Sequence, residues 1–156
     1  MSPRLRLTAI ALMALIVVAG AGIAMRGGGS NDNSTPAQPI TISGQYATAS
    51  TNDVAAVYFT IKNSGSQDDT LLSVATDSSP DASLHQDVTT GITSSMKMLQ
   101  DIVIPAKGQL EMKPSAYHVM MSGLTKPLEA GTTVTVHVTL QKAGTISFTA
   151  PVKALQ

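Results

Sequence analysis

Apolar and polar residues alternate in short segments from about residue 40 onward. In one segment Val134, Val136 and Val138 are separated by polar residues, and a second alternating segment begins after Gly144. Because alternate residues of a strand face opposite sides, these two segments predict a β-hairpin. Further strands are predicted at residues 40–47, 57–61, 70–75, 83–86, 102–104, 109–112 and 117–121. Roughly seven to nine short strands predict an all-β fold, an Ig-like two-sheet β-sandwich.

Two segments lack this alternation. Residues 124–131 contain Pro127 and Gly131, and we expect one helical turn there. Residues 91–101 are expected to connect two strands and to fold over one end of the sandwich.

The N-terminal segment has the pattern of an export signal. Arg4 and Arg6 precede an apolar run at residues 7–25, in which small residues crowd the end. The run also just reaches the length of a membrane span, so we predict that residues 1–25 are a signal peptide or a membrane anchor. Residues 26–39 are rich in Gly, Ser, Asn and Pro and predict a flexible linker. The folded domain is predicted at residues 40–156.

Composition excludes several classes of function. The chain has no cysteine, which excludes disulfides, lipid attachment through cysteine and a blue-copper site. Beyond residue 25 there are eight basic and ten acidic residues, a net charge of about −2, so nucleic acid is not predicted as a partner. No G-x-S-x-G sequence or motif arrangement of carboxylates occurs, and we predict that the protein is not an enzyme.

The histidines and methionines carry the functional prediction. His85, Met96, His118 and Met120 supply two imidazoles and two thioethers, and this soft, uncharged set suits Cu(I). His118 and Met120 are two residues apart, so they share one face of a strand while Val119 faces the core. We predict that the four side chains, which come from three segments, meet near the surface. An exposed site of this kind suits a metal carrier.

The remaining histidine and methionines of the domain need not bind metal. Met112 and Met121 are predicted to fill the core, as methionine often does. His137 alternates with threonines on the outer side of its strand, where a solvated histidine without a function is expected. Met98 shares a face with Met96 if that segment is extended. It is an auxiliary ligand, an aid to loading or a cover for apolar surface, and the sequence leaves these alternatives open.

The spacing of all four donor residues along the chain supports the prediction of a copper site. The pattern His-x10-Met-x21-His-x-Met from residue 85 to residue 120 includes Met-Lys-Met at residues 96–98 and Tyr-His-Val-Met at residues 117–120. This pattern resembles the periplasmic copper chaperones of the PCuA(C) family, and the resemblance extends over residues 40–152. Two departures are visible. Gln86 stands where the family often has Met or Glu, and Ser-Ala at residues 115 and 116 replaces Gly-Gly, so the loop before His118 is expected to take another path.

The resemblance implies a cupredoxin-like sandwich that binds one Cu(I) per chain through His85, Met96, His118 and Met120. It also implies delivery of copper to the dinuclear centre of cytochrome c oxidase, with the copper-bearing oxidase subunit or a thioredoxin-like assembly factor as partner. Because the chain ends without a His- and Met-rich tail, we expect no second site for Cu(II). The expected location is extracytoplasmic, in the periplasm or on the cell-wall side, with membrane contact only through an uncleaved N-terminal segment.

Two alternatives stay open. Within copper biology, the same site would serve copper buffering, acquisition or resistance without a dedicated recipient. In a different class, the domain would be a metal-free β-sandwich interaction module. That second alternative leaves the four-residue spacing unexplained.

Overall fold

The computed structural model describes residues 39–154, so the predicted leader and almost all of the predicted linker lie outside the described residues. These residues form ten β-strands: β1 Ile40–Thr48, β2 Val54–Asn63, β3 Asp69–Thr76, β4 Asp81–Thr90, β5 Thr93–Leu99, β6 Ile102–Ile104, β7 Gln109–Glu111, β8 Tyr117–Ser122, β9 Thr133–Leu140 and β10 Gly144–Lys153. Within residues 39–154 no helix is long and apolar enough to cross a membrane.

The strands pair in one continuous order that folds over on itself. This order is β5-β4-β8-β2-β1-β10-β9-β3-β6, and β7 pairs separately with β2. The parallel pair of β1 and β10 joins the two halves of the sheet. The Phe59 ring of β2 meets the Phe148 ring of β10 edge to face, with 5.0 Å between the ring centroids. The predicted all-β, two-sheet sandwich is therefore confirmed.

The core lies between the two halves and follows the alternation in the sequence. Val134, Val136 and Val138 of β9 are fully buried, and β9 and β10 form the predicted hairpin. The predicted core methionines, Met112 and Met121, are 3% and 0% exposed. Burial of each such large side chain contributes about 1.5–3 kcal/mol, so the alternating segments fix which face of each strand turns inward.

The prediction of a helical turn at residues 124–131 is wrong. Leu128 instead forms an isolated β-bridge with Ser50, with N–O distances of 2.9 and 3.0 Å in the two hydrogen bonds. Pro127 has no N–H to donate to a helical turn. Leu124 also donates its N–H to Asp53 in the loop that follows β1, whereas Thr125 donates to Ser78 and Gly131 to Val152, so the backbone groups of this segment bond to other segments rather than to one helical turn.

The connecting segment predicted at residues 91–101 is largely a strand, β5, and the strand count is ten rather than seven to nine. β5 pairs with β4 along its whole length, from Thr90↔Thr93 to Leu84↔Leu99. Gly91 has a φ of 64° at the first position of the two-residue turn, as a type II′ hairpin turn requires. Because six of the seven residues of β5 are exposed, its sequence has no core-facing alternation that would have predicted a strand.

Candidate metal centre

Three adjacent strands place predicted donors side by side. His85 of β4 is directly opposite His118 of β8 on one side and Met98 of β5 on the other. Residues that are directly opposite in antiparallel strands project from the same face of the sheet. The neighbouring residues Leu84 and Val119 project to the other face, where they are buried in the core. His85, His118 and Met98 therefore form a row on the outer face.

The other two predicted ligands lie on the same face, each two residues along the strands from this row and on opposite sides of it. Met120 is directly opposite Ser83, and Met96 is directly opposite Asp87. Since residues two apart on a strand share a face, all five predicted donors project outward from β4, β5 and β8. Their assignment as metal ligands stays a prediction, which the geometry permits.

An open cleft of about 380 Å³ is lined by Met96, His118 and Met120, together with Tyr58 and Asp87. His118 is only 5% exposed, whereas Met96 is 54% exposed. The imidazole therefore lies deep and the thioether of β5 lies at the rim.

Met98 lines a different part of the outer face from Met96. It is 59% exposed and lines a separate depression of about 190 Å³ beside Ser83 and Leu72. This arrangement separates the two methionines of β5, although both project from the outer face.

The two imidazoles stand close together. Their ring centroids are 5.8 Å apart and their planes differ by 24°. The Nδ1 atom of His118 lies 3.3 Å from the backbone oxygen of Ala116 and 3.8 Å from Oδ2 of Asp87. Both neighbours are hydrogen-bond acceptors, so a proton on Nδ1 would have partners on this side of the ring.

His85 has one satisfied and one unsatisfied nitrogen. Its Nε2 is 3.0 Å from the hydroxyl oxygen of Ser83, while its buried Nδ1 has no hydrogen-bond partner within residues 39–154. Burial lowers the pKa of His85, the proximity of His118 lowers it further, and the opposing effects of Asp81 and Asp87 are smaller. The imidazole is thus neutral at neutral pH, the form that a metal requires. An unpartnered buried nitrogen is the kind of atom that a bound metal would satisfy.

An aromatic wall closes one side of the cleft. The Tyr58 ring lies 6.4 Å from the His118 ring and 5.1 Å from the Tyr46 ring, and the Lys153 ammonium lies 4.6 Å from the centre of Tyr46. Burial raises the pKa of Tyr58, and the nearby Tyr46 and Asp87 raise it further. The phenol therefore stays uncharged, and the wall adds apolar surface beside the donors.

The loop before β8 contains one residue in a conformation that glycine favours. Ser115 has a φ of 61°, in the left-handed region, although we expected serine to resist it. The turn is closed by hydrogen bonds from Lys113 N to Tyr117 O, at 2.8 Å, and from Ala116 N to Lys113 O, at 3.1 Å. The substitution of Gly-Gly is therefore accommodated through backbone strain at one serine.

The third histidine lies elsewhere. His137 projects from the outer side of β9, as predicted, between Ala75 of β3 and Ser147 of β10. Its Nδ1 is 2.7 Å from the Ser147 hydroxyl. No methionine accompanies it in these positions.

Sequence reasoning did not single out Asp87, Ser83 or Tyr58. Asp87 follows His85 by two residues, so strand alternation alone would have placed it on the same face. Tyr58 reaches the cleft through the pairing of β2 with β8, for which the local sequence has no signal. Within residues 39–154, no group of three or more His, Cys, Asp and Glu side chains is placed to hold a metal. The donor set assembled here instead combines imidazoles with thioethers.

Comparison with known proteins identifies the family. A family model described as "Putative lipoprotein LpqE-like" matches residues 40–152. The chain belongs to the LpqE-like family. One relative, "Putative lipoprotein Lxx21020" from Leifsonia xyli subsp. xyli (strain CTCB07), is 27% identical over 118 residues, which are 75% of this chain and 71% of the relative. The word lipoprotein describes those relatives, whereas this LpqE-like chain contains no cysteine.

Comparison with solved structures identifies the fold. The copper-bound PCuAC domain from PmoF2 is 21% identical, covers 75% of this chain and 94% of its own length, and has a TM-score of 0.64. The solution structure of CuI-DR1885 from Deinococcus radiodurans is 30% identical, covers 80% of this chain and 85% of its own, and has a TM-score of 0.59. The cupredoxin-like fold and the predicted resemblance to the PCuA(C) family are thus confirmed for this LpqE-like protein.

Proposed function

We propose that this LpqE-like protein is an extracytoplasmic Cu(I) metallochaperone that holds one ion through His85, Met96, His118 and Met120. One observation supports this proposal above the others: three adjacent strands present two imidazoles and several thioethers on one outer face. Met96, His118 and Met120 line an open cleft on that face, and His85 lies directly opposite His118 on the neighbouring strand. Such donors suit a polarizable monovalent ion. The similar structures named as copper-bound and as CuI forms agree with this cargo.

The shape of the cleft favours transport over storage. The thioether of Met96 lies at an exposed rim, where the ligands of a partner can replace it stepwise, while His118 lies deeper. Thioethers need no deprotonation before they bind a metal, and His85 is already neutral. Loading of the proposed copper ion therefore requires little proton release.

The location and the recipient are proposed from the predicted N-terminal leader and from the family resemblance. The predicted export signal and the family description as a lipoprotein support an extracytoplasmic location, in the periplasm or on the cell-wall side. The N-terminal segment would leave the domain secreted or anchored. The proposed recipient is the dinuclear copper centre of cytochrome c oxidase, reached through the copper-bearing subunit or a thioredoxin-like assembly factor.

A competition titration tests the metal site. The protein is titrated with Cu(I) against bicinchoninate under reducing conditions, and we expect one equivalent to bind. His118→Ala and Met120→Ala should each weaken binding by at least the roughly tenfold loss that is typical when a supporting residue is removed from a metal site. Unchanged affinity in both variants would overturn the ligand assignment.

A deletion strain tests the role in delivery. Under copper limitation the deletion should lower cytochrome c oxidase activity, and added copper should restore it. Normal oxidase activity in copper-starved deletion cells would favour copper buffering, acquisition or resistance instead.

A further inference from the structure

A carboxylate stands beside the proposed copper donors without belonging to the sequence pattern that predicted them. Asp87 lies on β4, two residues after His85 and directly opposite Met96, and it lines the same cleft as His118. Its side chain is 24% exposed, and its Oδ2 is 3.8 Å from the Nδ1 of His118, which is an ion-pair distance rather than a hydrogen bond. The carboxylate is therefore held close to a proposed ligand.

The backbone fixes this arrangement. The N–H of Asp87 donates to the carbonyl of Ala116 at 3.0 Å, and the same carbonyl oxygen is 3.3 Å from the Nδ1 of His118. The carbonyl oxygen and the carboxylate oxygen approach one nitrogen, and both are hydrogen-bond acceptors. The arrangement therefore favours the Nδ1–H tautomer of His118, in which Nε2 is the nitrogen with a free lone pair.

We propose that Asp87 is a positioning residue for copper binding. Together with the carbonyl of Ala116 it holds His118 in the Nδ1–H tautomer, so that Nε2 binds the metal. This inference rests on the proposed function. Histidines that bind metals commonly donate their second ring N–H to a carboxylate or a backbone carbonyl, which fixes the ring and increases its basicity.

The charge of Asp87 supplies a second effect. The four proposed ligands are uncharged, so the bound ion keeps its full positive charge in a partly dehydrated cleft. A carboxylate on the same face attracts that charge, and the attraction is stronger than it would be in open water because Asp87 is largely covered. Asp87 should therefore favour retention of the ion without entering the set of ligands.

Two substitutions separate these effects, and a third is the matched control. Asp87→Ala removes the acceptor and the charge, whereas Asp87→Asn removes the charge and keeps an oxygen acceptor of nearly the same shape. Asp101→Asn removes one negative charge from an exposed position between β5 and β6.

The first measurement is the tautomer of His118 in the metal-free protein, read from ¹⁵N NMR of the imidazole at neutral pH. The wild type, Asp87→Asn and Asp101→Asn should show Nδ1–H, and Asp87→Ala should show a mixture of tautomers.

The second measurement is Cu(I) affinity against bicinchoninate. Asp87→Ala should bind about tenfold more weakly. Asp87→Asn should lose about threefold, as expected for loss of one charge interaction, and Asp101→Asn should match the wild type.

Wild-type tautomer and affinity in Asp87→Ala would overturn the positioning role. Absence of Cu(I) binding by the wild type would overturn the proposed function and the role of Asp87 with it. The two failures are distinguishable, because the tautomer is measured without copper.

Discussion

The two outer faces of the sandwich each carry a histidine on an alternating strand, but they surround it differently. His118 of β8 has His85 directly opposite, shares its strand face with Met120, and is almost completely buried. His137 of β9 lies between Ala75 and Ser147, and the Ser147 hydroxyl satisfies its Nδ1. Neighbours across the sheet therefore decide the chemistry of a strand histidine. Spacing along a single strand does not reveal those neighbours.

The largest expected effect compares the two sides of β8. Met121→Ala should lower the free energy of unfolding of the metal-free protein by about 3 kcal/mol, because the side chain is fully buried and leaves a cavity. Met120→Ala on the outer side should cost about 1 kcal/mol or less. Urea unfolding measures both values. Equal losses would mean that the two methionines do not face opposite sides.

A matched pair of histidine variants tests the contrast between the faces directly. His85→Ala and His137→Ala each remove one imidazole from the outer side of a strand. We expect His85→Ala to weaken Cu(I) binding by about a hundredfold, at the upper end of effects seen around metal sites. His137→Ala should keep the wild-type affinity, measured in the same competition titration. A large loss in His137→Ala would show that the other outer face takes part in binding.

The two methionines of β5 lie on one face but line different depressions. Met96 shares the cleft with His118, whereas Met98 lines the neighbouring depression. Met96→Leu should therefore weaken Cu(I) binding by about tenfold, and Met98→Leu should have a clearly smaller effect. A larger loss in Met98→Leu would assign the ligand to Met98, which the register places directly opposite His85.

A smaller effect is expected in the loop that leads to His118. Ser115→Gly should raise the free energy of unfolding by about 0.5 kcal/mol, because relief of the left-handed strain exceeds the added chain entropy of glycine. Ser94→Gly, in the exposed strand β5, is the control and should lower stability. Thermal unfolding measures the two shifts, and opposite signs are required. A loss of stability in Ser115→Gly would show that this serine is not strained.

The smallest effect concerns the face that carries His137. Burial alone would raise the pKa of Asp77, but hydrogen bonds from Thr135 and Ser78 outweigh it and lower the pKa below its ordinary value. A lowered pKa stabilises the fold above the ordinary value, and this contribution disappears as the pH falls through the folded-state pKa. Wild-type stability should therefore fall more steeply than that of Asp77→Asn between about pH 5 and about pH 2. Urea midpoints at several pH values measure the slopes, and identical slopes would contradict the lowered pKa.

The alternation of apolar and polar residues along the chain predicted much of the fold. The hairpin of β9 and β10 was predicted because every second residue of β9 is buried, and the inward direction of Val119 and Met121 followed from the same rule. β5 was not predicted because its residues 93–98 are all exposed. That strand forms through backbone pairing with β4, which leaves no pattern of buried side chains in its own sequence.

The candidate site could be predicted from the sequence only in part, for a similar reason. The shared face of His118 and Met120 is local information, and so is the shared face of His85 and Asp87. The pairing of β4 with β8 joins residues far apart in the chain, and the spacing of donors alone does not specify it. The resemblance to a known family supplied that information in the prediction.

Among residues 39–154, β5 has β4 as its single neighbour, and nearly all of its side chains are exposed. Fraying of such an edge requires far less free energy than global unfolding. When β5 frays, Met96 moves away from the cleft and the metal is released. The side of the cleft that β8 forms would then stay intact. Amide hydrogen exchange in this hairpin should accordingly slow when Cu(I) is bound, while exchange in β9 stays unchanged.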